Sequence, residues 1–365
     1  MSDNTPKDGN LEAISINLLY EGMEVQGDIF DADAQRLLIR NGSTLNADTL
    51  RAMRSMNDGR NTIYVTQNAF SAMFENSPPE DSPSLQDLEE STGYGIAAED
   101  TGEILEEIVV KKAVQKEAMH TVSSELSNKL EVTSQSTIMS LINALAPVDK
   151  YLQRHCVDVS LLNGLLGRWL GMQKAEVDNL ILIGLLHDCG KALVPPKVLN
   201  ATRRLTVVEF EVIKMHTLHT YDLLTEFPER VRRAARGHHE KISGAGYPDH
   251  LSMENLPLEA RITAVSDIYD AMVSQRAYKT PRSPFNVMAT LLELSGSELD
   301  STLVDTFINN MPAELIDKPV VMSDGTYGIV RALDPDDLEF PMIEINGRVV
   351  KSGKHLHCTC MYTGD

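Results

Sequence analysis

The segment LILIGLLHDCGKALVPP, residues 180–196, restricts the fold of this 365-residue chain more than any other. Its first seven positions are apolar or glycine on every side of a helix, which predicts a core helix that ends near Gly190. His187, Asp188 and Lys191 follow directly. Charged groups at such a place are costly unless they are paired or bind a metal, so these side chains need a partner.

The chain as a whole is predicted to be mainly α. Between about Ile104 and Ile308 apolar residues recur at helical spacing and strand signals disappear. Short alternating runs precede this region, and turn signals at Asp324-Gly325 and Asn346-Gly347 follow it. The predicted boundaries are 1–10 for a disordered tail, 11–70 for a small α+β regulatory module, 71–103 for an acidic flexible linker, 104–310 for an all-helical metal-binding domain and 311–365 for a short β appendage.

The linker prediction rests on charge. From Glu75 to Glu107 there are eleven acidic residues and no Lys or Arg, interspersed with Pro, Ser and Gly. Such a composition is typical of a solvated connector rather than of a functional acidic patch.

Composition excludes several classes of protein. The formal charge of −20 argues against a partner that is a nucleic-acid polymer, because proteins that follow phosphates need a basic surface. No apolar run approaches the roughly 18 residues of a membrane span, and the first ten residues have no apolar signal segment, so we expect no membrane association. Four cysteines are too few for a disulfide scaffold, which favours a reducing cytoplasm.

Seven of the ten histidines lie between residues 155 and 250. One histidine beside an apolar helical stripe is more often a hydrogen-bonded core residue than a ligand. A group of imidazoles together with carboxylates is instead the ligand set of Zn, Mn, Fe and Ni. Asp188 and Asp267 supply the carboxylates, and an aspartate can bridge two cations.

The order and spacing of these residues resemble the HD-GYP family, the branch of the HD phosphohydrolases that hydrolyses cyclic di-GMP. The matching motifs are HDCGK at 187–191, HHE at 238–240, GAGYP at 244–248 and DIYDAMVSQRAYK at 267–279. They cover the helical domain, roughly half of the chain. The segment LLYEGMEVQGDIFD also resembles, more weakly, a small module that often precedes this domain.

The resemblance implies a dinuclear metal site in which Asp188 bridges. One ion is expected on His155, His187, Asp188 and Asp267, and the other on Asp188, His216, His238 and His239. The two divalent ions are expected to be Fe or Mn, with Ni or Zn as alternatives. Such a pair would hold a bridging hydroxide that attacks the phosphodiester.

The remaining functional residues are also inferred from the family motifs. Asp188 and Lys191 are the expected catalytic residues, with the Lys191 ammonium stabilising charge on the phosphate or the leaving oxygen. The expected substrate-binding residues are Tyr247, Gly246, Arg276 and Lys279. His219 falls outside the ligand pattern and is assigned to packing or to supporting hydrogen bonds.

The chain departs from the family pattern at three positions. Tyr151 stands where some members have a Glu that supports a third metal, which favours two metals here. Ser243 and Lys241 replace the more usual Asp and Arg in the substrate loop, which affects substrate affinity and rate more than metal binding.

The expected function is hydrolysis of cyclic di-GMP to pGpG and onward to GMP. Two alternatives stay open: a non-catalytic cyclic di-GMP receptor with a degenerate site, and a general nucleotide phosphohydrolase. Protein partners, or a homodimer formed through the helical or N-terminal region, are also considered.

The C-terminal KHLHCTC segment has its own alternatives. His355 and His357, like Cys358 and Cys360, are two residues apart and would share a strand face. A terminal strand is favoured over a structural zinc site, because no second Cys/His cluster accompanies the segment.

Overall fold

The computed structural model describes most of the chain. The described residues are 11–16, 19, 25, 27–56, 62–66, 82–144, 151–201, 203–274, 282–354 and 356–362. The predicted disordered tail at 1–10 and the first part of the predicted linker lie outside them. The chain forms two compact units, one that combines 1–82 with 319–336 and 340–362, and one that contains 83–318.

The first unit contains two antiparallel sheets. The N-terminal sheet has the strand order β1-β4-β2-β3, and the C-terminal sheet has the order β8-β7-β6-β5-β9. The elements are β1 Leu11–Ser15, β2 Ile29–Phe30, β3 Leu37–Ile39, α1 Ala47–Met56, β4 Thr62–Thr66, β5 Pro319–Met322, β6 Tyr327–Asp334, β7 Asp337–Ile345, β8 Arg348–Lys351 and β9 Cys358–Met361. The predicted α+β module and β appendage therefore belong to one unit rather than two.

Particular residues explain how each of the two sheets forms. Ile29, Ile63 and Val65 of the N-terminal sheet pack with Met53 of α1 in one buried cluster. In the C-terminal sheet, Asn346 and Gly347 both have positive φ between β7 and β8, as a tight hairpin requires. Cys358 and Cys360 are buried on β9, and His355 lies outside the described residues.

The second unit is helical. Its elements are α2 Leu85–Thr92, α3 Tyr94–Lys111, α4 Lys116–Val132, α5 Gln135–Ile142, α6 Tyr151–Trp169, α7 Lys174–Leu186, a 3₁₀ turn at Cys189–Leu193, α8 Pro196–Leu199, α9 Val207–Lys214, α10 His216–Leu223, α11 Glu229–Gly237, α12 Leu258–Val273, α13 Pro284–Leu294 and α14 Ser301–Leu315. The predicted mainly α fold is confirmed. Within the described residues, no helix is both long and apolar enough to cross a bilayer.

The linker prediction is wrong from residue 85 onward, and the helical domain begins earlier than residue 104. Ser84 and Asp87 form a capping box that starts α2. In α3 the buried positions recur at helical spacing and leave the acidic residues on the outer face; they are Tyr94, Ala97, Ala98, Thr101, Gly102, Ile104, Leu105 and Ile108. Small buried residues gave this face a low apolar content, which is why composition alone indicated a linker.

The core helix expected from the opening motif is α7. Residues 180–186 are all buried, and the helix packs along α6 and also contacts α4, α11 and α12. Because neighbours surround it, an apolar surface on every side is what its position requires. It ends at Leu186, directly before His187 and Asp188 of the HDCGK motif.

Candidate metal centre

The HDCGK motif lies at the end of α7, pressed against the start of α10. Gly190 has no room for a side chain, because a Cβ there would lie 2.1 Å from the backbone oxygen of His216. Its N–H donates to Oγ1 of Thr220 at 3.0 Å. This close approach brings His187 and Asp188 beside His216.

The first cluster joins three helices. His155 of α6, His187 at the end of α7 and Asp267 of α12 are buried, and they offer ligand atoms that lie within 4.8 Å of one another. Nε2 of His155 is 3.2 Å from Oδ1 of Asp267 and 3.2 Å from Nε2 of His187. The structure thus brings together residues that lie far apart in the sequence, since His155 and Asp267 are 112 positions apart. The ligand prediction requires this proximity.

The second cluster contains Asp188, His216, His238 and His239. Nε2 of His216 lies 3.2 Å from Oδ1 of Asp188 and 3.4 Å from Nε2 of His238. His239 is half-buried and the other three are buried. All seven predicted ligands therefore lie in two neighbouring groups.

Asp188 contacts both groups through different oxygen atoms. Its Oδ2 lies 3.3 Å from Nε2 of His155 and 3.3 Å from Nε2 of His187. Its Oδ1 faces His216 and, at 3.8 Å, His238. This is the placement that a bridging carboxylate needs.

The imidazoles are oriented with Nε2 toward the site. Nδ1 of His187, of His216 and of His238 each donates to the backbone oxygen three residues earlier, at 2.6 Å. Such a bond leaves Nε2 as the lone-pair nitrogen of these three rings, so in the second group Nε2 of His216 and Nε2 of His238 point acceptors at each other. Oδ1 of Asp188 is also buried without a hydrogen-bond partner. These donors fit divalent cations, which would satisfy all of them.

Asp270 supports the first cluster, and sequence reasoning did not assign it. Nδ1 of His155 donates to Oδ2 of Asp270 at 2.5 Å, and both side chains are fully buried. Asp270 lies three residues after Asp267 on α12, so the two carboxylates share a helix face. That spacing within the DIYDAM motif was a signal that could have identified it.

Contacts within the site shift the pKa values of Asp188 and His155 in opposite directions. Burial alone would raise the pKa of Asp188, but Lys191 and His187 outweigh it and hold that pKa well below the ordinary value. Burial lowers the pKa of His155, but its hydrogen bonds with Asp188 and two other carboxylates outweigh this and raise it. A cation that binds at His155 therefore takes the place of a proton.

The histidine pair behaves differently. Burial, with a smaller contribution from neighbouring imidazoles, lowers the pKa of His238 well below its ordinary value. Burial lowers the pKa of His239 to about 3. Both rings are thus neutral near pH 7, which is the form that binds metals.

Lys191 lies at the edge of the centre, on the 3₁₀ turn. Its ammonium contacts Oδ2 of Asp188, and its side chain is 17% exposed. The amine thus borders both the bridging carboxylate and solvent, where a phosphate could reach it. The electrostatic role of Lys191 in catalysis stays a prediction.

The loop of the GAGYP motif, residues 244–248, which is the predicted substrate loop, packs on His239. The N–H of Tyr247 donates to the backbone oxygen of His239 at 3.2 Å, and the two ring centroids are 4.8 Å apart. Glu240 holds the far side of the loop, since its carboxylate accepts from the N–H groups of Asp249 at 2.6 Å and Leu251 at 3.1 Å. Tyr247 therefore lies beside the second cluster, and its substrate-binding role stays a prediction.

Other predicted residues are less informative. Lys241 forms an ion pair with Glu298 at 2.7 Å, and Ser243 is exposed. His219 is half-buried on α10 and belongs to neither cluster. Arg276 and Lys279, the predicted phosphate binders, lie outside the described residues.

Residues 126–303 match the family model described as the HD domain. The helical unit therefore contains an HD domain, and such domains belong to a phosphohydrolase family that uses divalent metals. The motifs that resemble the HD-GYP family, at 187–191, 238–240, 244–248 and 267–279, all lie within this match.

Curated relatives share this domain. A protein of Xanthomonas campestris named cyclic di-GMP phosphodiesterase response regulator RpfG is 34% identical over 50% of this chain and 49% of its own length. A cyclic di-GMP phosphodiesterase of Pseudomonas aeruginosa is 30% identical over 58% and 51%. A Vibrio cholerae protein named 3′3′-cGAMP-specific phosphodiesterase 2 is 28% identical over 50% and 35%. The matched region thus spans about half or less of these relatives.

One solved structure resembles more of the chain. A protein of Bdellovibrio bacteriovorus described as an HDG"Y"P protein superposes with a TM-score of 0.52, at 15% identity, over 83% of this chain and 99% of its own. At that identity the likeness supports the fold alone.

Proposed function

We propose that this chain is a metal-dependent phosphodiesterase that hydrolyses cyclic di-GMP to linear pGpG and then to GMP. The observation that carries the proposal is Asp188, whose two oxygens face two separate groups of imidazole nitrogens. Relatives that share the domain are named cyclic di-GMP phosphodiesterases. Fe or Mn is the proposed native pair, with Ni or Zn as alternatives, because His-carboxylate sites accept several first-row ions.

The proposed assignment gives each cluster one ion. His155, His187 and Asp267 would hold the first, His216, His238 and His239 the second, and Asp188 both. When bound, the ions neutralise phosphate oxygens and make water more acidic.

The remaining groups act on the substrate. Lys191 places an ammonium beside the bridging carboxylate, where it can stabilise charge on the phosphate or on the departing ribose oxygen. Tyr247, whose ring lies next to that of His239, would border the bound substrate. Arg276 and Lys279 stay assigned to phosphate binding on the motif alone, since a guanidinium fork matches phosphate geometry.

The test is product analysis of the purified, Mn- or Fe-loaded chain. Cyclic di-GMP should be converted to pGpG and then to GMP on chromatography, and the chelator-treated protein should leave it intact. Substrate that binds the loaded protein but is never cleaved would instead favour the non-catalytic receptor.

One alternative substrate is suggested by the comparisons. Because one relative is named a 3′3′-cGAMP-specific phosphodiesterase, that dinucleotide should be assayed in parallel. A higher kcat/KM for 3′3′-cGAMP than for cyclic di-GMP would replace the proposed substrate and keep the reaction. The cytoplasmic location and the homodimer stay predictions from the sequence.

A further inference from the structure

An aromatic ring and a lysine of α9 stand beside the substrate loop. Phe210 and Tyr247 have ring centroids 6.5 Å apart and planes at 78°. Nζ of Lys214 lies 5.0 Å from the Phe210 centroid and 5.5 Å from the Tyr247 centroid.

Phe210 is not part of a buried core, because no residue of α9 is fully buried. Phe210 itself is 45% exposed. The helix begins with a complete capping box, in which Thr206 accepts from the N–H of Glu209. A well-formed helix thus presents a large aromatic face to solvent near the centre, two turns before the ligand His216.

Tyr247 is a poorer stacking surface than Phe210. Its ring lies 4.8 Å from that of His239, with planes at 31°, so one face is covered by the histidine. Burial also raises the pKa of Tyr247 well above its ordinary value, which keeps the phenol neutral. Phe210 therefore offers the more accessible aromatic face of the two.

Lys214 adds a donor that distinguishes bases. Its ammonium is paired with Glu211 at 2.7 Å, but Glu211 is 60% exposed and such surface pairs exchange readily. Guanine presents two acceptors, O6 and N7, on one edge, and a lysine can donate to both. Adenine keeps the N7 acceptor but presents an amino donor in place of O6, so it offers an ammonium one acceptor instead of two.

We propose that Phe210 and Lys214 form the subsite for one guanine base of the substrate, with the base stacked on the Phe210 ring and the Lys214 ammonium on its O6 and N7. The inference rests on the proposed function, because it assumes a guanine dinucleotide at the metal centre. It assigns base recognition to α9 in addition to the Tyr247 loop.

Equilibrium binding tests the stacking half of the proposal. The full, metal-loaded chain is titrated with cyclic di-GMP as wild type, Phe210→Ala, Phe210→Trp and, as a control on the same helix, Val208→Ala, whose parent side chain is 74% exposed. Phe210→Ala should weaken binding on the order of 10- to 100-fold, the scale of one lost base stack. Phe210→Trp should restore binding, and Val208→Ala should match wild type, all with unchanged metal content.

Base preference tests the lysine. Lys214→Met should weaken binding of cyclic di-GMP by about tenfold, within the range of one base contact, and should weaken binding of cyclic di-AMP less, because adenine offers one acceptor instead of two. Equal losses for both dinucleotides would reduce Lys214 to a general cation and overturn its assignment. Phe210→Ala that binds like wild type would overturn the stacking.

Hydrolysis is measured separately on the same samples. Binding without cleavage by the wild type would refute the phosphodiesterase while the variants still decide the subsite. Failure of the wild type to bind any guanine dinucleotide would overturn both.

Discussion

Asp270 accepts a hydrogen bond from Nδ1 of His155 at 2.5 Å, on the side of the imidazole opposite to Asp188 and Asp267. The bond fixes the ring so that Nε2 faces the first cluster. His155 thus differs from three other proposed ligands, since its Nδ1 bonds to a carboxylate whereas Nδ1 of His187, His216 and His238 bonds to a backbone oxygen. A carboxylate partner raises the basicity of a ligand and orients it.

Asp270→Asn should therefore weaken metal binding at the first cluster. An amide keeps the size of the side chain but loses its charge, and the loss of such a supporting partner typically costs about 10- to 100-fold in metal affinity. Titration of the metal-free protein with Mn²⁺ should show one weakened site and one unchanged site.

Asp305→Asn is the matched control, since Asp305 is an exposed aspartate of α14. It should bind both ions as the wild type does. Two unchanged sites in Asp270→Asn would mean that backbone packing alone orients His155.

Substitutions at Asp188 and at Lys191 should affect different properties, metal binding in the first case and the rate of hydrolysis in the second. Asp188→Ala removes the carboxylate that both clusters share and should abolish most metal binding and all useful activity. Lys191→Ala should retain the metals but lose about 10²- to 10³-fold in kcat, the scale of one lost electrostatic stabiliser. Elemental analysis and steady-state hydrolysis of cyclic di-GMP measure the two effects.

The contrary result would be equally clear. Normal hydrolysis by metal-depleted Asp188→Ala would show that the chemistry does not depend on this centre. Loss of metal in Lys191→Ala would show that the ammonium holds Asp188 in place rather than acting on the substrate.

The seven ligands were predicted from the resemblance to the HD-GYP family, and five of them lie in its short motifs at 187–191, 238–240 and 267–279. His238 and His239 are adjacent, and His187 and Asp188 follow a helix that is apolar on all sides. Sequence reasoning assigned a role to neither Phe210 nor Asp270. Phe210 lies in a segment of ordinary helical composition, and its proximity to Tyr247 arises only from packing between elements about 37 residues apart.

Gly246 should be essential to the substrate loop. A Cβ at this position would lie 2.4 Å from Cα of Glu240 and 2.4 Å from the backbone nitrogen of Lys241. Gly246→Ala must therefore displace the backbone that carries Tyr247, and we expect KM for cyclic di-GMP to rise by at least about tenfold, since small misplacements at a site are costly.

Gly353→Ala is the control for that substitution, because a Cβ at Gly353 meets no atom within 4 Å. Its kinetic constants and its metal content should equal those of the wild type. If Gly246→Ala also kept a wild-type KM, the loop would not contact the substrate.

Tyr151 should limit the centre to two metals. Its ring stacks on that of His155, with centroids 5.4 Å apart and planes at 17°, so residue 151 faces the ligand one helical turn away. A phenol is a poor ligand near neutral pH, because phenols ionise only at about pH 10, whereas a glutamate at this position would supply a ready carboxylate. Elemental analysis of anaerobically prepared wild type should give about two ions per chain, the number that a bridged pair requires.

Tyr151→Glu should raise metal occupancy toward a third ion, and Tyr151→Phe, which keeps the stacked ring, should stay at the wild-type value. A third ion in the wild type would show that another residue supplies the missing carboxylate. Unchanged occupancy in Tyr151→Glu would mean that a carboxylate next to His155 is not sufficient to hold a third cation.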